Sequence, residues 1–384
     1  MKIIIAPDSF KESLTAEEVS QAIEAGLKPV FPSAEFVKIP MADGGEGTVN
    51  SLVYATGGKV ISKLVTGPLG EPIPSFFGIL GDGKTAIIEM AAASGIDQVP
   101  REKRNPLVTT SFGVGELILE ALNYEVEKII IGLGGSATND AGVGMLQALG
   151  VSFLSNEGIE IGFGGGELGK IRTIDISGLD PRLESIVFEV ACDVDTPLIG
   201  PKGASAIFGP QKGADPEMVE LLDGCLTHFA DCIHNALGKD IHYLPGSGAA
   251  GGLGGGIVAF LRAELKSGVD IIIEATRLSE HMADANLVIT GEGKLDQQTI
   301  YGKTPIGVAK IAKQYNLPVI AIAGHLGSDC NIVKKYGIDA HFSIVPGVIE
   351  LDDAFKNARE YVVRCVENIG TVIRIGMREK IYDK

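Results

Sequence analysis

Short apolar segments recur near both ends of the chain and are separated by stretches with helical periodicity. Lys2–Ala6, Leu287–Thr290 and Leu317–Ala323 are almost entirely apolar, which is typical of strands buried on both faces of a sheet. A polar loop and a predicted helix follow each of them. The first helix begins at Thr15, and Glu18 three residues later completes a capping box. This alternation predicts parallel strands with helices on both faces.

The middle of the chain has a different pattern. Phe76–Leu80 and Thr85–Met90 are strand-like segments joined through a glycine-containing turn, which predicts a β-hairpin. Further strands are expected at Lys128–Leu133 and Ile186–Ala191, among glycine-rich loops, and a long helix at Pro216–Leu237. The middle therefore predicts a mixed α/β arrangement.

Together these patterns predict an α/β protein of two domains. Residues 1–66 and 285–384 are expected to combine into a doubly wound, parallel-sheet domain, and residues 67–284 to be inserted as a mixed α/β domain. With 384 residues in the chain, either part is long enough to bury its own core. A cleft between two domains is a common place for a small ligand, and we expect the functional site there.

Composition narrows the classes of function. The sequence has 49 acidic and 33 basic residues, a formal charge of -16, which argues against non-specific nucleic-acid binding because that needs a basic surface. No apolar run approaches the roughly 20 residues that span a bilayer, and five cysteines without a CxxC pair suit a reducing compartment. We therefore expect a cytoplasmic protein with small-molecule partners, bound neither to nucleic acid nor to a membrane.

Two glycine patterns match nucleotide-binding signatures in their letters. Gly78–Thr85 fits GxxxxGKT, but a P-loop must leave a strand and open a helix, whereas here a second strand is predicted and Asp82-Gly83 favours a hairpin turn. Gly246–Gly251 fits GxGxxG without a strong buried strand before it. A dinucleotide-dependent oxidoreductase that uses this second loop is the alternative from another class.

A more informative segment follows the predicted strand Lys128–Leu133. Its two glycines would let an anion approach the backbone, and the start of the next helix would favour negative charge. The candidate ligand-binding residues of this segment are Gly134, Gly135, Ser136, Thr138, Asn139 and Asp140. The hydroxyl and amide side chains are neutral donors, and the aspartate either holds Mg²⁺ or caps the helix.

Acidic loops follow three predicted parallel strands, Lys2–Ala6, Glu35–Ile39 and Leu287–Thr290, at the edge where open α/β sheets bind ligands. They are Asp8–Lys11, Asp43–Gly47 and Gly291–Asp296. Phosphoryl transfer needs cations over the phosphates, carboxylates for Mg²⁺ and a carboxylate near the attacking hydroxyl. Capping and solvation explain any single carboxylate equally well. Asp193, after the strand Ile186–Ala191, is a further candidate general base, with a structural cap as the alternative.

Four of these segments resemble signatures of the type I bacterial glycerate kinase family. They are Ala6–Leu14, Pro40–Thr48, Gly134–Gly142 and Thr290–Asp296, and they occur in the family's order. The likeness covers nearly the whole chain. It implies a flavodoxin-like domain, a second domain related to restriction-endonuclease folds, and an ATP- and Mg²⁺-dependent kinase that phosphorylates D-glycerate.

The resemblance also implies the products ADP and 2-phosphoglycerate, with 3-phosphoglycerate as the alternative, and a place in glyoxylate or sugar-acid breakdown. Under this hypothesis Lys11 or Lys294 holds the substrate, Asp193 accepts the proton, and Glu292 and Asp296 bind the metal. The other candidate substrate- or nucleotide-binding residues are Asp8, Ser9, Asp43, Gly44, Gly45, Gly291 and the six of the segment from Gly134 to Asp140. A non-catalytic anion sensor is a third class, which the lack of basic clusters disfavours.

Overall fold

The computed structural model describes residues 1–379, and these form two compact units. Unit 1 comprises Met1–Asp43, Asn50–Thr56 and the chain from Val269 onward. Unit 2 comprises Gly44–Val49 and Gly57–Gly268. Among the described residues, no helix is both long and apolar enough to cross a membrane.

The elements alternate along the chain much as the sequence predicts. The described strands are β1 (Lys2–Pro7), β2 (Glu35–Lys38), β3 (Lys59–Thr66), β4 (Pro72–Ile79), β5 (Thr85–Glu89), β6 (Lys128–Gly132), β7 (Ser152–Leu154), β8 (Thr173–Asp175), β9 (Val187–Ala191), β10 (Glu264–Lys266), β11 (Leu287–Leu295), β12 (Val319–Leu326) and β13 (Ala340–Ser343). The described α-helices are α1 (Ala16–Leu27), α2 (Thr48–Thr56), α3 (Ala91–Ser94), α4 (Phe112–Leu122), α5 (Val143–Ala148), α6 (Ala204–Phe208), α7 (Pro216–Leu237), α8 (Leu253–Leu261), α9 (Gly268–Ala275), α10 (Leu278–Met282), α11 (Thr304–Gln314), α12 (Leu351–Lys356) and α13 (Ala358–Glu379).

Unit 1 is built on a five-stranded sheet with the order β13–β12–β11–β1–β2, in which every pairing is parallel. Ile3, Ile4 and Ile5 of β1 are completely buried, and burying each such side chain contributes about 1.5–3 kcal/mol before conformational entropy is counted. The strand order changes direction at β1, because the chain continues to β2 on one side and returns to β11–β13 on the other. Open parallel sheets bind ligands at the carboxyl ends of strands at such a switch point.

Unit 2 contains a mixed six-stranded sheet with the order β10–β9–β6–β5–β4–β3, in which only the β3–β4 and β4–β5 pairings are antiparallel. The turn between β4 and β5 is closed by Asp82, whose carboxylate accepts hydrogen bonds from the backbone N–H groups of Lys84 and Thr85. A strand, β5, follows this turn. The hairpin interpretation of Gly78–Thr85 is therefore confirmed, and the segment is not a P-loop.

The boundaries of the two units differ from those of the domains predicted from the sequence. Residues 57–66 belong to unit 2, because β3 pairs with β4 along its whole length. Most of β3 is exposed, so its hydrophobic pattern carries little information about its partner. Residues 269–284, which contain α10 and most of α9, belong to unit 1.

Candidate active site

In unit 1, the end of β1 positions the Asp8 carboxylate between two hydrogen-bond donors. Its Oδ1 accepts from the backbone N–H of Ser9 at 2.6 Å, and its Oδ2 accepts from the hydroxyl of Thr304 at 2.7 Å. Thr304 is the first residue of α11, so the start of that helix orients the carboxylate. The backbone N–H of Asp8 donates to the Gly291 carbonyl oxygen at 2.8 Å, which fixes the loop after β1 against β11.

Asp8 carries an unfavourable charge when it is ionised. Burial is the main cause that raises its pKa to about 6, the negative charge of Asp43 is the next, and Glu292 makes a smaller contribution. The hydrogen bonds from Thr304 and Ser9 oppose this rise. A general base works best when its pKa lies near the operating pH. Asp8 therefore has the electrostatic character of a proton acceptor, in a place of excess negative charge.

Glu292 lies in β11 and is buried. Its Oε1 accepts from the Thr299 hydroxyl at 2.6 Å, and its Oε2 lies 3.3 Å from Nζ of Lys303. Burial raises the pKa of Glu292, while the Thr299 hydrogen bond and the Lys303 charge limit the rise. Since Asp43 and Glu292 both affect the pKa of Asp8, the structure brings three of the predicted acidic residues into one electrostatic cluster, Asp8–Asp43–Glu292.

The predicted residues Lys294 and Asp296 pair with each other. Lys294 Nζ lies 2.8 Å from Asp296 Oδ2, and Asp296 Oδ1 accepts from the backbone N–H of Gln298 at 2.8 Å, which caps the 3-10 helix Gln297–Ile300. The hydrogen bond from Lys294 is the main cause that lowers the pKa of Asp296. Both Asp296 oxygens thus have partners within the protein. Lys11, the other predicted lysine, lies in the loop after β1 and is exposed.

The acidic cluster offers the kind of donor atoms that a magnesium ion bound to a nucleotide needs. Among the described residues, no group of three or more His, Cys, Asp or Glu side chains is arranged to hold a metal ion by itself. Mg²⁺ carried by a nucleotide needs only one or two protein carboxylates, because phosphate oxygens and waters complete its shell. Asp43 and Glu292 offer hard oxygen donors where a positive charge would relieve repulsion.

In unit 2, two of the predicted glycine loops lie against each other. Gly44 has a φ of +85°, and a Cβ there would lie 2.6 Å from the Cβ of Ala191. A Cβ on Gly132 would overlap the Gly44 carbonyl oxygen, and one on Gly134 would lie 3.1 Å from the Cα of Gly45. These close approaches, together with the positive φ of Gly44, explain these glycines without a ligand. The exposed backbone of residues 134 and 135 nevertheless leaves room for a ligand.

Lys212, which the sequence analysis missed, holds the segment that follows these glycines. Its side chain is 1% exposed, and its Nζ donates to the Ser136 hydroxyl at 2.7 Å and to the Thr138 carbonyl oxygen at 2.6 Å. Burial lowers the pKa of Lys212 to about 7, against the opposing charge of Asp140. The Asn139 side chain donates to another protein group, the Ser205 hydroxyl, at 3.0 Å. Ser136 and Asn139, predicted as donors to a ligand, thus have internal partners.

Asp140 accepts four hydrogen bonds from the protein and is 1% exposed. Oδ2 accepts from the backbone N–H and the hydroxyl of Ser111, both at 2.8 Å, and from Gly144 N–H at 3.3 Å, while Oδ1 accepts from Gly142 N–H at 3.2 Å. Burial raises the pKa of Asp140, and these bonds oppose the rise. Because these bonds join the starts of α4 and α5, the structure favours helix capping over the alternative of a magnesium ligand.

Asp193 and the Gly246–Gly251 loop also have structural explanations. Asp193 follows β9, and its Oδ1 accepts from the backbone N–H of Gly268, the first residue of α9, at 2.9 Å. The Gly246–Gly251 loop is preceded by turns and bends and not by a strand, and a Cβ on Gly251 would overlap the Thr138 carbonyl oxygen. This geometry disfavours the oxidoreductase alternative, because a dinucleotide fingerprint needs a strand directly before its glycines.

Comparison with known proteins decides the class of the protein. The sequence model described as the glycerate kinase family matches residues 3–374. The chain belongs to the glycerate kinase family. Family membership makes it an enzyme, a phosphotransferase that uses ATP and glycerate, which confirms the resemblance seen in the four sequence segments.

Relatives that span the whole length support this assignment to the glycerate kinases. Glycerate kinase from Bacillus subtilis is 59% identical over 375 residues, which cover 98% of each chain. Glycerate 2-kinase from Escherichia coli is 57% identical over 378 residues, 98% of this chain and 99% of the relative. A crystal structure assigned as glycerate kinase 2 from Salmonella typhimurium LT2 has a TM-score of 0.91 at 53% identity and covers 98% of this chain and 99% of that one. The predicted two-domain α/β fold is thereby confirmed.

Some polar residues around the glycerate kinase motifs were absent from the sequence prediction. Lys303 and Thr304, beside Glu292 and Asp8, come directly after Gly302 and open α11. Gly-Lys-Thr before a helix is the second half of a phosphate-binding signature, so the sequence did contain a local signal for these two residues. Lys212 lies more than 70 residues after the segment that it holds, and no local pattern marks it.

Proposed function

We propose that the chain transfers the γ-phosphoryl group of ATP to the 2-hydroxyl of glycerate and releases ADP and 2-phosphoglycerate. The observation that carries this proposal is the match over 98% of the chain to an Escherichia coli protein named glycerate 2-kinase, at 57% identity. The Asp8–Asp43–Glu292 cluster supports it, because phosphoryl-transfer sites use carboxylates to hold Mg²⁺ and to accept the proton of the attacking hydroxyl. Transfer to the 3-hydroxyl is the alternative, since a kinase for glycerate can use either alcohol.

Asp8 is proposed to accept the proton of the attacking hydroxyl. A bond forms between the hydroxyl oxygen and the γ-phosphorus, the bond from that phosphorus to the bridging oxygen of ADP breaks, and the proton passes to the Asp8 carboxylate. The pKa of about 6 supports this role, and Ser9 and Thr304 hold the carboxylate in one orientation. Asp193, predicted from the sequence, is the alternative acceptor.

Mg²⁺ is proposed as the cofactor, with Asp43 and Glu292 as its protein ligands. The chemistry that it supplies when bound is neutralisation of charge on the ATP phosphates. Glu292→Gln should raise the Mg²⁺ concentration needed for half-maximal activity about tenfold, because a neutral amide binds a hard cation more weakly than a carboxylate. Asp296→Asn is the matched variant. A larger shift in Asp296→Asn than in Glu292→Gln would assign the metal to Asp296, as the sequence predicted.

Cationic and backbone groups are proposed to bind the anionic parts of the substrates. In unit 1, Lys11 is exposed in the loop after β1, and Lys303 lies beside Glu292; both are suited to phosphate oxygens. In unit 2, the backbone of Gly134 and Gly135 is exposed after β6, and it is proposed to bind a carboxylate or phosphate group through its N–H groups. Lys294, already paired with Asp296, is the weaker candidate.

A coupled assay for ADP release, with ATP, Mg²⁺ and D-glycerate, tests the reaction. We expect turnover that depends on all three, and a product whose phosphorus couples to the single methine hydrogen in NMR. Coupling to the methylene hydrogens would show 3-phosphoglycerate and overturn the choice of hydroxyl. ADP release that does not depend on glycerate would overturn the choice of substrate.

The cytoplasm is proposed as the location of the protein. All five cysteines are in the described part of the chain and are free thiols, which is the state expected in a reducing compartment. Cell fractionation with an antibody to the chain tests this, and recovery with the membrane pellet or the secreted fraction would contradict it.

A further inference from the structure

We propose that a cavity within unit 1, bounded by the carboxyl ends of β11, β12 and β13 and by α12, binds the adenine ring of ATP. This inference rests on the proposed function and deepens it, because it assigns the nucleotide base to a particular part of the chain. The cavity has a volume of about 590 Å³, within the range of small-molecule sites. It lies on the side of the sheet where open parallel sheets bind ligands.

The cavity begins at the switch point of the sheet. Gly293 of β11 contributes to its wall, and a Cβ there would lie 3.6–3.7 Å from backbone atoms of Phe10 and Lys11, in the loop after β1. The cavity is thus continuous with the loop that carries Asp8. A base bound inside would leave its ribose and phosphates directed towards Lys11 and the Asp8–Asp43–Glu292 cluster.

The lining suits a flat heterocycle with apolar faces and polar edges. Phe10, Ile344, Val345 and Phe355 supply apolar surface, and Ser13, His325 and Ser343 supply hydrogen-bonding groups. Ser13 donates to the Phe355 carbonyl oxygen at 3.2 Å, which ties α12 to the loop after β1 and closes one side of the cavity. Burying an adenine between aromatic and aliphatic side chains is favourable because its faces lose contact with water.

A second cavity, of about 490 Å³ in unit 2, is a poorer candidate. Its carboxylate, Glu160, already accepts hydrogen bonds from the Gln147 side chain at 2.8 Å and from Phe153 N–H at 3.0 Å. Among the described residues that line it, there is no lysine or arginine to receive phosphates. The cavity next to α12 is lined in part by the exposed Lys11, and this difference from the unit 2 cavity favours it for a nucleotide.

A tryptophan placed in the cavity wall tests the proposal. Gly347 lines the cavity, and a Cβ there would meet no atom within 4 Å, so Gly347→Trp adds an indole at the cavity without a clash at its Cβ. We expect KM for ATP to rise at least tenfold, while KM for glycerate stays within twofold. Gly376→Trp, on the exposed part of α13 with equally open space, is the matched control and should leave both constants unchanged. An unchanged KM for ATP in a folded Gly347→Trp protein would overturn the proposal.

Binding without turnover separates this proposal from the proposed function. The sequence has no tryptophan, so Phe355→Trp introduces the sole indole and keeps an aromatic ring in the wall. We expect adenosine to change its fluorescence saturably and inorganic triphosphate not to compete, whereas the indole of Gly376→Trp should not respond. No response to adenosine or ADP in Phe355→Trp would overturn the adenine site, even if glycerate is phosphorylated. A saturable response in a chain that does not phosphorylate glycerate would support the site and overturn only the choice of acceptor.

Discussion

The acidic residues of unit 1 and the buried aspartate of unit 2 share one electrostatic property and differ in their partners. Burial raises the pKa of both Asp8 and Asp140. Asp140 accepts four hydrogen bonds from the protein, whereas Asp8 accepts two and faces the negative charges of Asp43 and Glu292. A raised pKa alone therefore does not separate a functional carboxylate from a structural one.

The number and kind of partners make that separation. A buried carboxylate whose oxygens are saturated by protein donors stabilises the fold and has little capacity left for a ligand. Ionisation of a carboxylate beside like charges destabilises the folded protein, and binding of a proton, a metal ion or a cationic group of a substrate relieves the repulsion. On this criterion we propose a catalytic role for the Asp8–Asp43–Glu292 cluster and a structural role for Asp140 and Lys212, which stabilise the loop after β6.

The largest effect is expected from Asp8→Asn. Loss of the proton acceptor should lower kcat at least a thousandfold, which is about 4 kcal/mol of transition-state stabilisation. The same change should stabilise the fold at pH 8, by up to about 3 kcal/mol, because the ionised Asp8 destabilises it. The sign and size of this gain in stability follow from the pKa of Asp8, which is raised from 3.8 to about 6. The gain should shrink as the pH falls from 6 towards 4, because Asp8 is then protonated in the folded protein. Steady-state turnover with Mg²⁺ measures the change in kcat, and urea denaturation without Mg²⁺ measures the change in stability.

Asp193→Asn is the matched control for that experiment. An asparagine can still accept the hydrogen bond from Gly268 that Asp193 accepts, so we expect a change in kcat of less than tenfold. If Asp193→Asn lowered kcat more than Asp8→Asn does, the base would be Asp193, and the proposed functional role of Asp8 would be wrong.

Asp140→Ala should destabilise the fold, in contrast to Asp8→Asn. It leaves two backbone N–H groups, at Gly142 and Gly144, and two Ser111 donors without their acceptor in a buried place. Each such loss costs about 1–3 kcal/mol, less where water enters, so we expect the free energy of unfolding to fall by about 4 kcal/mol. Ser111→Ala removes one of these donors and the acceptor of the Met145 N–H, and it is the milder control. A fall of less than 1 kcal/mol in Asp140→Ala would show that these bonds do not support the loop.

The partners of a side chain decide its role, and they limit how far the sequence could predict the site. Apolar runs and glycines identified most strands of the two sheets and the loops that follow them, because local patterns report local structure. The partners of each side chain could not be predicted, because Lys212 reaches Ser136 and Thr304 reaches Asp8 across 76 and 296 positions. The strand β3 was missed for a related reason: it is largely exposed, and its pairing with β4 determines its place.

Lys212→Met tests whether the buried lysine supports the unit 2 loop. The folded lysine loses its proton near pH 7, whereas an unfolded one keeps it to about pH 10. Between these values the folded protein binds fewer protons, so the contribution of Lys212 to stability should rise with pH. We expect the difference in unfolding free energy between wild type and variant to grow by about 2–3 kcal/mol from pH 7 to pH 9. A difference that stays constant over this range would show that Lys212 is protonated in the folded protein.

The smallest effects separate packing from backbone strain at the glycines of unit 2. Gly44 and Gly47 have φ values of +85° and +86°, but a Cβ at Gly44 would lie 2.6 Å from Ala191, and one at Gly47 would meet no atom within 4 Å. Both alanine variants carry the left-handed backbone cost of about 1 kcal/mol, and only Gly44→Ala adds overlap, for a total of about 2–3 kcal/mol. Chemical denaturation of the two variants measures this difference directly. Equal losses would mean that the loop moves away from β9 without cost, so glycine at position 44 would then be needed only for its positive φ.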